Sequence, residues 1–252
     1  MRNLHLSILF ITCIIISSCT PDDGGEITVQ SEKLLKKLTI SDSNGSSSLN
    51  FFYNENNSID KIQSQGTGDD FIKQFYYENG NIDRAEFQDL NAIPDGNIEQ
   101  YIYDNGQLVG REDYFNENTL DEKYEYEFSN ALVSEIRYFA VNQTNFSEKS
   151  TFQYDSNGNV SALIINYTGN SSAEEELSLT YDNQNNPFNN VTSRIVLIDD
   201  FYSFQNNVIS QTLTDLSDNS TISTINFTYT YDSDDYPVSS SNGTETITYE
   251  YY

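Results

Sequence analysis

Phe75-Tyr76-Tyr77-Glu78-Asn79-Gly80-Asn81-Ile82 is the stretch that decides the fold. An aromatic-x-aromatic triplet runs into a short polar turn, and an apolar residue follows. Tyr101-Ile102-Tyr103-Asp104-Asn105-Gly106-Gln107-Leu108 and Phe152-Gln153-Tyr154-Asp155-Ser156-Asn157-Gly158-Asn159-Val160 repeat the pattern. Residues i and i+2 of a strand share a face, so each triplet lays an aromatic stripe on one side. Asn-Gly takes positive φ at little cost and turns the chain back. The apolar residue after the turn opens the return strand. Each copy therefore reads as a β-hairpin.

Outward from these three, the second aromatic marks eight copies: Tyr53, Tyr77, Tyr103, Tyr126, Tyr154, Tyr181, Phe204 and Tyr231. They recur about every 25 residues, and a repeat at a near-constant period dictates architecture. Looser loops, such as Asn91 to Gly96 and Asn170 to Ser172, lead to the next unit. Eight hairpins give about sixteen strands. An opening strand near Leu38–Ile40 and a closing one at Thr246–Tyr252 are added. No segment sustains a helical period, and the Thr/Tyr-rich flanks of Glu174-Glu175-Glu176-Leu177 favour a strand there. The expected class is all-β, a long antiparallel meander of repeated hairpins in a strongly curved sheet or an up-and-down barrel. A β-solenoid of hairpins is the alternative. Strict alternation along a return strand places Val133, Glu135 and Arg137 on one face, and Ser134, Ile136 and Tyr138 on the other. With 19 Tyr, 15 Phe and no Trp, Phe is expected to fill the inner face. Tyr suits sites where the ring is buried and the hydroxyl reaches a polar partner.

The N-terminus gives an address. Arg2 precedes an apolar run from Leu4 to Ile16, short for a membrane span but right for a signal-peptide core. Ile16-Ser17-Ser18-Cys19 resembles a lipobox, the signal of bacterial lipoproteins. That resemblance implies acylation of the Cys19 thiol, cleavage before it, and anchoring in a membrane. The domain reading is then 1–18 signal peptide, 19–31 lipidated Cys and flexible tether, and 32–252 a single β-repeat domain. Acidic residues after Cys19, at Asp22, Asp23 and Glu26, resemble surface-export signals of Bacteroidota-type lipoproteins. They favour the cell surface of the outer membrane over its periplasmic face. Cys13 lies in the removed segment, so the mature chain keeps only Cys19 and forms no internal disulfide.

Charge and composition exclude much chemistry. The formal net charge is −27, with 12 basic against 39 acidic residues. Nucleic-acid binding needs the opposite sign. The one basic cluster, Lys33, Lys36 and Lys37, reads as a solvated strand face. The only His is His5, inside the signal peptide, which removes Ser-His-Asp and Cys-His catalysis and zinc sites built on His or Cys. Ser58-Ile59-Asp60-Lys61 matches S-x-x-K without its companion motifs and sits just past a repeat turn. Carboxylate pairs suited to glycoside hydrolysis abound among so many acids, so spacing cannot single one out. Asp232-Ser233-Asp234-Asp235 and Asp155-Ser156-Asn157-Gly158-Asn159 carry calcium-type oxygens without full loop spacing. Both fall on expected turns. No catalytic residue, metal ligand or cofactor is assigned, and the ligand-binding residues stay unknown.

The Tyr-x-Tyr-Asp-x-Asn-Gly-x-Ile/Leu/Val units resemble the YD repeats of RHS-type proteins over residues 50–240. The Arg that often follows the turn Gly in that family is absent: Asn81, Gln107 and Asn159 stand there. With the lipobox and the Tyr-rich end Thr246-Ile247-Thr248-Tyr249-Glu250-Tyr251-Tyr252, the chain is also similar to small Bacteroidota-type lipoproteins of unknown function. That resemblance implies a porin-like barrel in a water-soluble setting and brings no catalytic residues. An integral porin is disfavoured by the short strands, the polar alternate faces and the lipobox. The functional expectation is a non-enzymatic envelope module that binds glycan, peptide or protein through exposed Tyr and loop Asn/Asp. A structural or assembly accessory of an outer-membrane transporter or secretion complex is the alternative, and a carboxylate-based hydrolase the weaker one. A free sheet edge would point to the accessory, and Tyr clustered on an open concave face to the binding module.

Overall fold

The computed structural model describes residues 33–67, 70–116, 118–167, 173–192 and 204–252. Residues 1–31, with the lipobox, Cys19 and the tether, lie outside the described residues. β1 (Leu35–Asp42) is followed by six hairpins, and in each the triplet ends one strand and the post-turn residue opens the next. They are β2 (Gly45–Tyr53) with β3 (Ile59–Gly66), β4 (Phe71–Glu78) with β5 (Asn81–Gln88), β6 (Pro94–Asp104) with β7 (Gln107–Phe115), β8 (Thr119–Ser129) with β9 (Leu132–Ala140), β10 (Glu148–Tyr154) with β11 (Val160–Tyr167), and β12 (Glu175–Tyr181) with β13 (Val208–Asp215). β14 (Ser220–Asn226), β15 (Thr228–Tyr231), β16 (Pro237–Ser241) and β17 (Thr246–Tyr251) complete the sheet.

Pairing is antiparallel between chain neighbours except β14 and β15, and β17 pairs β1 with Thr39 opposite Thr248. The meander thus closes on itself as an up-and-down barrel, not a solenoid. β14 and β15 form one run broken at Phe227; the first half pairs β13 and the second pairs β16. Tight turns gather at one end of the barrel, the turn end, and looser loops at the other, the loop end. At the turn end Asn79 (φ 52°) and Gly80 (φ 84°), then Asn105 (φ 50°) and Gly106 (φ 81°), take the paired positive φ of a type I′ turn.

Eight units are present, but not the eight that sequence spacing marks. Phe204 does not start a hairpin. Tyr181 pairs Val208, so Phe204 belongs to an insertion within the turn between β12 and β13. In the β8–β9 unit the residue at the turn is Phe128, opposite Val133, not Tyr126. The eighth unit is divided between the chain ends: Tyr249 faces Leu38 and Tyr251 faces Leu35. Closure therefore uses the same aromatic-apolar pairing as every hairpin.

Strict alternation fails for a physical reason. The register shifts at the same place in each hairpin, as between Phe52 and Tyr53, Tyr76 and Tyr77, Ile102 and Tyr103, and Glu127 and Phe128. Such a bulge adds a residue to one strand and reverses the parity beyond it. Val133 and Ile136 then share the interior, opposite Phe128 and Tyr126. Residues i and i+3 point inward in each return strand: Leu35 and Leu38, Ile59 and Ile62, Ile82 and Ala85, Val160 and Leu163, all buried. With the first aromatics Phe51, Phe75, Tyr101, Tyr126 and Phe152 they form one core at the turn end.

The insertion after β12 covers that end. Phe188 and Val191 are buried, and the Phe188 ring meets Phe51 edge-on at 5.5 Å. Asn190 Nδ2 donates to the Lys33 carbonyl and to Tyr236 Oη, each at 2.9 Å. Thr192 N–H donates to the Asn57 carbonyl at 3.1 Å, reaching the β2–β3 turn. The outer face is polar: Gln100, Glu112 and Lys123 are followed by Ser/Thr rows such as Thr230, Ser239, Thr248, Thr39 and Ser48. A membrane-spanning barrel carries an apolar outer band, whereas these rows are mainly polar.

Candidate functional site: a polar chamber inside the loop end

Inward-facing positions change character toward the loop end. Extending each aromatic stripe two residues back gives Lys73 before Phe75, Glu99 before Tyr101, and Glu122 with Tyr124 before Tyr126. Register brings them together: Ala85, Glu99, Asp113 and Glu122 are cross-strand neighbours on one inner row. Tyr101, Arg111, Tyr124 and Tyr138 form the row beside it.

Buried charges persist only when paired and hydrogen-bonded, and these are. Lys73 Nζ lies 2.7 Å from Glu99 Oε1, and Tyr101 Oη donates to Glu99 Oε2 at 2.7 Å. Arg111 grips Asp113 with two bonds, Nε to Oδ1 at 2.8 Å and Nη2 to Oδ2 at 3.0 Å, while its guanidinium stacks 4.2 Å from the Tyr124 ring. Tyr124 and Tyr138 each donate to a Glu122 oxygen at 2.9 Å. Burial alone would raise the Glu99 carboxyl, but Lys73 and Arg111 hold it below its ordinary value. Burial pushes the Asp113 carboxyl up to about 6; Arg111 opposes this, and Glu99 and Glu122 add to it. Burial, with Glu99 beside it, takes the Tyr101 hydroxyl well above its usual range.

A cavity of about 270 Å³ opens onto this layer, lined by Phe87, Asn97, Glu99, Asp113, Phe115 and Glu122. Asn97 Nδ2 donates to Asp95 Oδ2 at 3.3 Å, while its Oδ1 is buried without a hydrogen-bond partner. Two aromatic rings beside carboxylate and amide oxygens can stack a ring and accept from hydroxyl or amine donors. A second cavity, about 390 Å³, lies at the turn end among Ile82, Tyr103, Leu108, Phe128, Ala131 and Thr192.

The residues singled out by sequence lie elsewhere. Tyr53, Tyr77, Tyr154, Tyr181 and Tyr229 point into the barrel and donate their hydroxyls to backbone carbonyls, so they form no open Tyr-lined concave face. Lys33 is not a solvated strand residue: its Nζ bridges Asp232 at 2.7 Å and Asp234 at 2.5 Å. A lysine ammonium thus occupies the cation position that the Asp232–Asp235 turn suggested. Asp155 Oδ1 accepts from the amides of Asn157 at 2.8 Å and Asn159 at 3.0 Å, serving its own turn. Ile59 turns into the core, and Lys61 lies 4.3 Å over the Phe52 ring, so the S-x-x-K spacing assembles no catalytic pair. The chamber residues were readable as same-face continuations of the stripes, but the repeat drew attention to the turns instead.

No family model matches the chain, and no curated protein matches it in sequence. Its fold is similar to a crystal structure of a porin-like protein from Bacteroides uniformis. The TM-score is 0.55 at 14% identity, over 86% of this chain and 96% of that one. A porin-like protein from Bacteroides vulgatus aligns with TM-score 0.49 at 14% identity, over 88% of this chain and 99% of that one. The Photorhabdus luminescens Tc holotoxin pore structure aligns with TM-score 0.35 at 15% identity, over 76% of this chain and 9% of that chain. At such identity the first likeness shows the fold, a porin-like β-barrel, and nothing of the activity.

Proposed function

We propose that the protein is a lipid-anchored, non-enzymatic binding module of the outer membrane, held at Cys19 and displayed at the cell surface. Its ligand is the terminal unit of a glycan. The observation that supports this reading is the chamber: two phenyl rings, Phe87 and Phe115, set against Asn97, Glu99, Asp113 and Glu122 in a cavity of monosaccharide scale. Stacking on an aromatic face together with acceptor oxygens suits a polyhydroxylated ring. The mainly polar outer wall and the predicted lipobox are consistent with a barrel tethered outside the bilayer rather than set within it.

Titration calorimetry against a panel of saccharides tests the chamber. A saccharide that binds the wild type and loses about tenfold in affinity with Phe115→Ala supports it. A folded protein that binds none of the panel sinks it. Cys19→Ser should move the protein from the membrane to the soluble fraction; retention in the membrane would remove the lipid anchor from the reading. The accessory reading has its own support, the free edge of β14.

A further inference from the structure

β14 stands apart from the rest of the wall. All but one of its residues are exposed, and Ile222 is 51% exposed. Phe227 N–H donates to the Ile209 carbonyl at 2.9 Å, and the register sets Ile225 opposite Gln211 and Ser223 opposite Leu213. Hydrogen-bonded pairs alternate in an antiparallel ladder. Phe227, Ile225 and Ser223 therefore direct their backbone groups to β13, and Thr224 and Asn226 direct theirs the other way. Among the described residues no strand pairs with that side. β16 reaches only from Pro237 opposite Tyr231 to Ser241 opposite Thr228, and the chain then turns back toward β17. The β13–β14 pairing therefore continues beyond the last residue of β16. Natural edge strands are blunted by Lys, Pro or inward charge. Ser220-Thr221-Ile222-Ser223-Thr224-Ile225-Asn226 has none of these, and its one irregularity is the register shift at Ile222, outside Thr224–Asn226.

The surroundings of the edge select the partner. Glu175 faces Asp215 across the strands, Leu216 N–H donates to the Glu174 carbonyl at 2.8 Å, and Asp218 caps Ser220 N–H at 2.8 Å. Asp218 thus stands at the hairpin tip, while Glu175 accepts from Tyr167 Oη at 3.0 Å and Asp215 accepts the Ser217 amide at 2.8 Å. Arg194 is the only Lys or Arg after Lys149 in the whole chain, so this half of the barrel is acidic. We propose that the free edge of β14 is a strand-addition site for an extended, basic segment of a partner protein. The segment pairs along Thr224–Asn226, whose backbone groups turn away from β13, and its Lys or Arg end lies toward Asp218 at the acidic tip. Main-chain bonds supply affinity and the acidic tip supplies selectivity. A second copy of this chain would bring the same carboxylates and a net charge of −27, which disfavours it as the occupant. The inference does not depend on the chamber or its glycan.

The test uses the intact chain and a fluorescent peptide of alternating Thr and Val ending in a Lys pair, followed by anisotropy. Saturable binding is expected, weakened by salt, and at least about tenfold weaker for the same peptide ending in a Glu pair. Thr224→Pro removes an outward N–H without touching the β13 ladder and should abolish binding, while Thr224→Ala should keep it; circular dichroism confirms that both fold. In hydrogen exchange the Thr224 and Asn226 amides should be fast alone and protected by the peptide. Absence of binding, equal binding to the Thr224→Pro variant, or no preference for the Lys peptide would each overturn the proposal. So would a concentration-dependent dimer that Thr224→Pro dissolves, since the occupant would then be a second copy.

Discussion

At the scale of the residue, the tyrosines are structural clasps. Tyr53 Oη donates to the Leu35 carbonyl at 2.8 Å, Tyr154 to Val133 at 2.7 Å, Tyr181 to Val160 at 2.6 Å, and Tyr251 to Pro237 at 2.8 Å. In each case the turn-end aromatic of one unit reaches the inward apolar residue of the unit before it. The reason is local: ladder pairing between adjacent hairpins stops short of the turn, as at Lys61 opposite Gln74, leaving carbonyls to be satisfied. Gln74 Nε2 completes the job at the Asp60 carbonyl at 2.8 Å, and Gln100 Nε2 at Asp83 at 2.9 Å. Phe128 occupies the same position without a hydroxyl, so one missing clasp is tolerated. Tyr154→Phe should therefore keep the fold and cost about 1 kcal/mol of stability. Urea denaturation measures it, and an unchanged midpoint would show that the clasp contributes nothing.

At the scale of the element, the turn insertion shows where the repeat was bent to another purpose. Asn159, fully buried, receives the Gln205 and Asn206 amides on Oδ1 at 2.8 and 3.1 Å and donates from Nδ2 to Asn206 Oδ1 at 3.0 Å. It pins the returning arm of the insertion to the neighbouring turn. Asn159→Ala strands two backbone donors and should cost about 2–3 kcal/mol; faster hydrogen exchange at the Gln205 and Asn206 amides reports the release. The hairpins themselves were legible, because Asn79-Gly80 and Asn105-Gly106 carry their turn chemistry in two residues. The insertion was not. Tyr202-Ser203-Phe204 imitates a triplet, and only Tyr181 pairing with Val208 reveals that the hairpin belongs to Tyr181. The bulges hid the inner face in the same way: periodicity of two predicts alternation, while the extra residue makes the true inward pattern i, i+3. The chamber escaped notice because Lys73, Glu99 and Arg111 are charged, and a charged residue on a strand reads as outward until its cross-strand partners are known.

At the scale of the whole molecule, closure makes the buried tyrosines act together. The β1–β17 seam joins Leu35 to Tyr251 across nearly the entire described sequence. Burial pushes the Tyr154 and Tyr167 hydroxyls up to about 12, with Glu175 adding to the second. Burial also raises Tyr53, Tyr124, Tyr229 and Tyr251, beyond that range. In the unfolded chain these groups ionise near pH 10. Between the two values the unfolded chain has lost protons that the barrel still holds, so stability falls as pH rises. The contribution is complete below about pH 10 and is lost progressively through about pH 12 as Tyr154 and Tyr167 reach their folded values. The barrel should therefore unfold cooperatively in alkali, with tyrosinate absorbance and loss of β circular dichroism rising in one step. If most tyrosines ionise near pH 10 while the dichroism holds, the rings are not sealed by a closed wall and the seam between β1 and β17 is open in solution.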